Sequence, residues 1–155
     1  MTGYVVRAAI ADGHGPDAAP AIEALRRIAD AVPNAELLMT VAEGWYAVGR
    51  EDDARRTLSL VLKERDDLPI ALKGREDGRV AELMWRLDGA GKPEAMIEIV
   101  DKIGVTDPGA IDRLIEVIRP VSPVVALQLA NRQTEVTRRI DELANIAIQI
   151  ATKSN

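Results

Sequence analysis

Apolar residues recur at helical spacing along almost the whole chain, and proline and glycine fall mostly between those stretches. No other feature narrows the fold as much. A stripe that repeats every three to four residues suits one face of a helix, whereas a strand buries alternate residues. The periodic segments are also short and closely spaced, so neighbouring helices must pack antiparallel.

The punctuation predicts about nine helices. A weak first one runs from about Thr2 to Ala11, closed by Gly13 and Gly15. The next spans Asp17 to Ala31, with Ile22, Leu25, Ile28 and Ala29 on one face and Pro33 as its stop. Asn34 caps a third helix whose stripe is Leu37, Leu38, Val41, Ala42, Trp45 and Val48, and Gly49 supplies its C-terminal turn. Glu51, Asp52 and Asp53 then favour the positive end of a fourth, striped by Ala54, Leu58, Val61 and Leu62. Residues 70–78, with Gly74 and Gly78, read as a short helix or a loop. Helical pattern resumes from Arg79 to Leu87 and breaks at Gly89-Ala90-Gly91. Pro93 opens a helix to Ile103 that buries Met96, Ile97, Val100 and Ile103. Thr106 or Asp107 caps one to Ile118, Ser122 opens a short one to about Asn131, and Thr134 opens the last and longest, to about Thr152.

What must fill the core sharpens this expectation. Phenylalanine is absent and aromatic residues make up only 3 % of the chain, so Ala, Leu, Ile and Val carry the packing, which suits close-set helices better than a sandwich or barrel. The 155 residues have the length of one ordinary domain and need no cross-links. Without cysteine, disulfides, thiolate metal sites and cysteine nucleophiles are excluded, and a cytoplasmic location is expected. Met1 to Ala11, interrupted by Arg7, is too short for a membrane span and lacks the order of a signal peptide. The net charge is -5 with both signs interspersed, and Arg26-Arg27, Arg55-Arg56 and Arg138-Arg139 are flanked by acids. A nucleic-acid surface would gather its basic residues on one face, so none is expected.

A repeat runs through the first half. Shifting the sequence by 36 residues lays Gly13 on Gly49, Ala18 on Ala54, Ile22 on Leu58, Leu25 on Val61 and Pro33 on Pro69. Between Ala35 and Leu68, Leu38, Val41, Ala42 and Trp45, then Gly49, then Ala54, Leu58 and Val61 make a unit that resembles a tetratricopeptide repeat.

The resemblance implies an all-α fold: a right-handed superhelix, or α-solenoid, of antiparallel helical hairpins with about eight or nine helices. It implies a single domain over 1–155, with a degenerate repeat at 1–33, the clear unit at 34–69, a second degenerate repeat at 79–104 turning at Gly89 or Gly91, and a helical cap at 106–155. An irregular solenoid and a repeat pair capped by a different bundle both fit. Such arrays hold a peptide in a groove lined by first helices, which places Glu36, Met39, Glu43 and Tyr46 on the partner-binding side. Met39 and Glu43 stand where the chaperone-type version carries Lys and Asn, so its carboxylate clamp is not expected.

The last helix offers a second surface. Val136, Ile140, Leu143, Ala144, Ala147, Ile150 and Ala151 form a stripe that Ile146 and Ile148 widen, and a terminal helix so apolar is either buried by the preceding helices or used for self-association, through Ile146 and Ile148.

Catalytic patterns are missing. His14 has no second His or Cys with which to hold a metal. The carboxylate pairs Asp52-Asp53, Asp66-Asp67 and Asp141-Glu142 are consecutive, so on a helix they diverge by about 100°. Gly13 to Gly15 and Gly89 to Gly91 read as turns and not as phosphate loops, and Ser59 and Ser122 lack a histidine. No enzyme, cofactor or metal is therefore expected. The expected role is an adaptor that binds a protein or peptide partner, with a structural or homo-oligomerising subunit as the alternative.

Overall fold

The computed structural model describes residues 18–32, 34–68, 70–89 and 91–153, and it is all-helical over them. The expected helix from Thr2 to Ala11, the turn at Gly13 and Gly15, His14, Pro33 and Pro69 lie outside the described residues. Eight α-helices are described: α1 (Ala19–Ala31), α2 (Ala35–Ala47), α3 (Glu51–Glu64), α4 (Ile70–Met84), α5 (Ala95–Ile103), α6 (Pro108–Ile118), α7 (Pro123–Ala130) and α8 (Val136–Lys153). The chain divides into two compact units, 1–69 and 70–155.

In the first unit α2 is the middle helix, with α1 on one side and α3 on the other. Asn34 opens it as predicted, its Oδ1 accepting from the Leu37 amide at 3.0 Å. Gly49 closes it with a φ of +79°, a value that a side chain makes costly. The stripe of α2 does not stay on one face: Met39, Thr40 and Gly44 are buried along with Leu38, Val41, Ala42 and Trp45, because two helices cover it. A Cβ on Gly44 would lie 3.1 Å from Ile22, which shows how closely α1 approaches. Ala18, Ile22, Leu25, Ala54, Leu58 and Val61, the related positions of the 36-residue offset, are all buried. Ile28, expected inside, is 51 % exposed, while Ala29 takes the inner position.

The second unit begins with a correction. Residues 70–78 are neither loop nor short helix; they run unbroken into α4. Gly74 and Gly78 are contact points. A Cβ on Gly78 would lie 2.7 Å from the Ala110 Cβ, and one on Gly74 would lie 2.9 Å from the Asp107 Cβ. The missing side chains let α4 press against the start of α6, and the rest of the helix supplies its hydrogen bonds. After Met84 the helix widens into a π-turn, Trp85–Gly89, where the indole N–H of Trp85 donates to the Lys92 carbonyl at 3.2 Å. Gly104, at φ +76°, ends α5. Of the two candidate caps for α6 the structure uses Asp107, whose Oδ1 accepts from the Ala110 amide at 2.8 Å. Ser122 caps α7 through the Val125 amide at 3.3 Å.

The helices of this unit form two neighbouring hairpins. α4 pairs with α5 and α6 with α7, while α4 also packs on α6 and α5 touches α7, so matching helices of the two hairpins are neighbours. Two ion pairs join the hairpins: Arg113 Nε donates to Glu82 at 2.6 Å, and Arg132 grips Asp101 through both carboxylate oxygens. Val80, Leu83 and Leu87 of the first hairpin match Ile111, Leu114 and Ile118 of the second, and all six are buried. Ile111, Leu114 and Ile118 share one core with Ala81, Trp85, Met96, Val100, Val125, Leu129 and Ile146.

Candidate interaction surfaces

The four residues expected on the α2 groove do not share an accessible face. Glu36 is exposed, Glu43 and Tyr46 are half-buried, and Met39 has 0 % exposure. Met39 is core, for the reason already given: α2 is enclosed on both sides, so a residue one turn from Glu36 faces a neighbour instead of a groove.

The first unit also holds a cleft of about 230 Å³ lined by Glu23, Arg26, Trp45, Arg50, Asp53 and Arg56, among others. Its charges form an alternating chain. Arg50 reaches Glu23 at 3.5 Å and Asp53, Asp53 reaches Arg56 at 3.1 Å, and the Arg50 guanidinium lies 4.2 Å above the Trp45 ring. Arg26 pairs with Asp30 at 2.8 Å. Each arginine reaches a carboxylate, Asp53 being shared by Arg50 and Arg56, while Arg26 Nη1 is buried without a hydrogen-bond partner. What the chain does is fasten α1 to the turn between α2 and α3, with a cation–π contact of about 0.5–1 kcal/mol over the tryptophan.

In the second unit a shallow cleft of about 290 Å³ is lined by Met84, Asp88, Gly89, Ala95, Glu98, Ile99 and Lys102. Its polar side chains lie at the rim and are exposed. Deeper in the unit the charges of α4 are unusual: Glu76 is 1 % exposed, and both its oxygens accept from Arg79 Nη1, at 3.1 and 3.0 Å. This pair is enclosed, so its work is structural. Among the described residues no group of three His, Asp or Glu side chains is placed to hold a metal ion. Ser59 donates back to the Arg55 carbonyl at 3.0 Å and Ser122 is committed as a cap, so each hydroxyl has a local task.

The least satisfied surface belongs to α8. Its start is held to α6 through Asp112, which accepts from Gln133 and, at 2.7 Å, from Arg138 Nη1. Ile146 is fully buried and Leu143 half-buried against the core, but Ile140 is 60 % and Ile148 63 % exposed. Ile146 and Ile148, named together from the sequence, thus separate: one anchors the helix and the other faces outward. On the inner side Glu142 Oε2 and Gln149 Oε1 are buried without a hydrogen-bond partner. The closest cation to Glu142, Arg119 Nη1, is 4.0 Å away, beyond hydrogen-bond range. Burial raises the Glu142 carboxyl above the usual carboxylate range; Arg119 opposes the shift, while Asp112, Glu116 and Asp141 reinforce it.

The mismatch is geometric. At about 100° per residue, the apolar arc of α8 runs from Ile146 through Leu143, Ala147, Ile140, Ala151 and Ala144 to Ile148, more than half a turn. The docked face is centred on Ile146, at one edge of that arc. Consequently half of the apolar arc is uncovered, while Glu142 and Gln149, from the polar arc, are turned inward. The sequence marked the stripe; which part of it docks required the tertiary contacts.

Asp101 on α5 is held below the usual carboxylate range by its hydrogen bond from Arg132, as an exposed ion pair should be. No described helix is long and apolar enough to cross a membrane. No protein-family model matches this sequence, and no curated protein or solved structure is detectably similar to it.

Proposed function

We propose that this protein is a non-catalytic interaction module, a tetratricopeptide-like solenoid of helical hairpins that holds a protein or peptide partner. One observation carries the reading: α8 leaves Ile140 and Ile148 exposed beside Ala144, Ala147 and Ala151, and an uncovered apolar face is the feature by which a helical protein takes a partner. The fit of Ala42, Trp45 and Ala54 among α1, α2 and α3 supports the repeat assignment, since small residues sit where helices come closest and the indole fills the space beside them. A groove on α2 would keep Glu36, Glu43 and Tyr46, without Met39.

Partner capture by the full chain tests which surface acts. Ile148→Asp is expected to abolish capture, and Glu43→Arg with Tyr46→Ala to weaken it only if the α2 face contributes. Capture unchanged by both changes, with helicity intact, rejects these surfaces. The second reading, a self-associating or structural subunit, is favoured by the same α8 face.

A further inference from the structure

We infer that α8 pairs antiparallel with α8 of a second copy of this chain, through Ile140, Ala144, Ala147, Ile148 and Ala151; the inference rests on the self-associating reading of that face.

The pairing within the second unit supplies the first argument. α4 is mated to α5 and α6 to α7, whereas α8 packs on α7 and has no mate of its own among the described residues. The side on which such a mate would lie is the uncovered half of the apolar arc. An antiparallel helix there would repeat the relation of α6 to α7.

The residue pattern identifies the mate. Ile140, Ala144, Ala147 and Ala151 follow spacings of four, three and four, the seam of paired helices. About a two-fold axis between residues 145 and 146, Ile140 of one copy faces Ala151 of the other and Ala144 faces Ala147, while Ile148 flanks the row on the same side as Ile148 of the other copy. Large side chains meet small ones at both ends, and the alanines in the middle let the backbones approach. The row matches itself in reverse, the requirement of an isologous interface. The row Ile140, Ala144, Ala147 and Ala151 is itself uncharged, so pairing along it buries no ion.

Size sets the expected strength. The 18 residues of α8 make a helix of about 27 Å, and a single helix pair of that length falls short of the ~1,200–2,000 Å² buried in stable complexes. The association is accordingly reversible and rises with protein concentration.

Sedimentation equilibrium of the full chain over a broad concentration range provides the first test. The weight-average mass should climb toward that of two chains, and Ile148→Asp and Ala144→Glu should each weaken association at least tenfold with helicity unchanged. One-chain mass at the highest concentration overturns the inference but leaves a foreign partner on α8 standing, which the capture experiment judges separately. Because the chain has no cysteine, cross-linking gives an answer even where those variants misfold. Ala144→Cys mixed with Ala147→Cys should form a disulfide-linked mixed dimer under mild oxidation, faster than either alone, while Asn145→Cys on the polar arc should not. Equal cross-linking by Asn145→Cys, or faster linking of Ala147→Cys to itself than in the mixture, overturns the pairing.

Discussion

Glu76 shows how a side chain can be charged, enclosed and still structural. Both of its oxygens accept from Arg79, so Glu76→Ala breaks an enclosed ion pair, and a loss of up to about 3–5 kcal/mol is expected in chemical denaturation. Gly78 sets two effects against each other. Alanine in a helix interior is worth about 1 kcal/mol over glycine, but here its Cβ would meet Ala110 at 2.7 Å from the Cβ and 3.0 Å from the Cα. Backbone cannot step aside as a flexible side chain can, and overpacking costs about 1–3 kcal/mol. Gly78→Ala is therefore expected to lower the melting temperature, opposite to the same change on an open helix face. For Glu142, the raised carboxyl pKa means that the folded state binds more protons than the unfolded one just above the ordinary glutamate range. Stability then rises as pH falls through that window and declines as pH climbs out of it. Thermal melts across mildly acidic pH should show this gain, and Glu142→Gln should remove it.

Among the helices, the contrast between α2 and α8 is instructive. Both carry wide apolar arcs, yet α2 is covered by α1 and α3, whereas among the described residues α8 docks by one edge of its arc alone, so Met39 vanishes into the core while Ile148 remains exposed. Caps behave more simply because they depend on nearby atoms alone. Asn34, Asp107 and Ser122 all make the bonds that their positions suggest, and Asn34→Ala is expected to cost about 1 kcal/mol, read as a shift in the denaturation midpoint. The π-turn from Trp85 to Gly89 lay beyond such local reading. It arises where Gly89 admits the edge of the Trp85 ring, 2.9 Å from where a Cβ would be, and Ala95 at 3.0 Å.

At the level of the whole chain, each of the two units has its own buried residues, and the second has a core that runs from Ala81 to Ile146. A fragment of residues 70–155 should accordingly be helical and unfold cooperatively on its own, as circular dichroism with thermal melting would show. The amino-acid order by itself determined that the described residues form helices, where most of them begin and end, and which residues of α3 and α5 point inward. These follow from side-chain periodicity and from capping bonds that span three or four residues. It did not determine the role of Gly74 and Gly78, the burial of Met39, the ion pairs that join the two hairpins of the second unit, or the part of the α8 stripe that docks. Each of these depends on which helix lies alongside. That choice comes from contacts between residues far apart in the chain, and a glycine spacing or an apolar arc looks the same whether a neighbour covers it or water does.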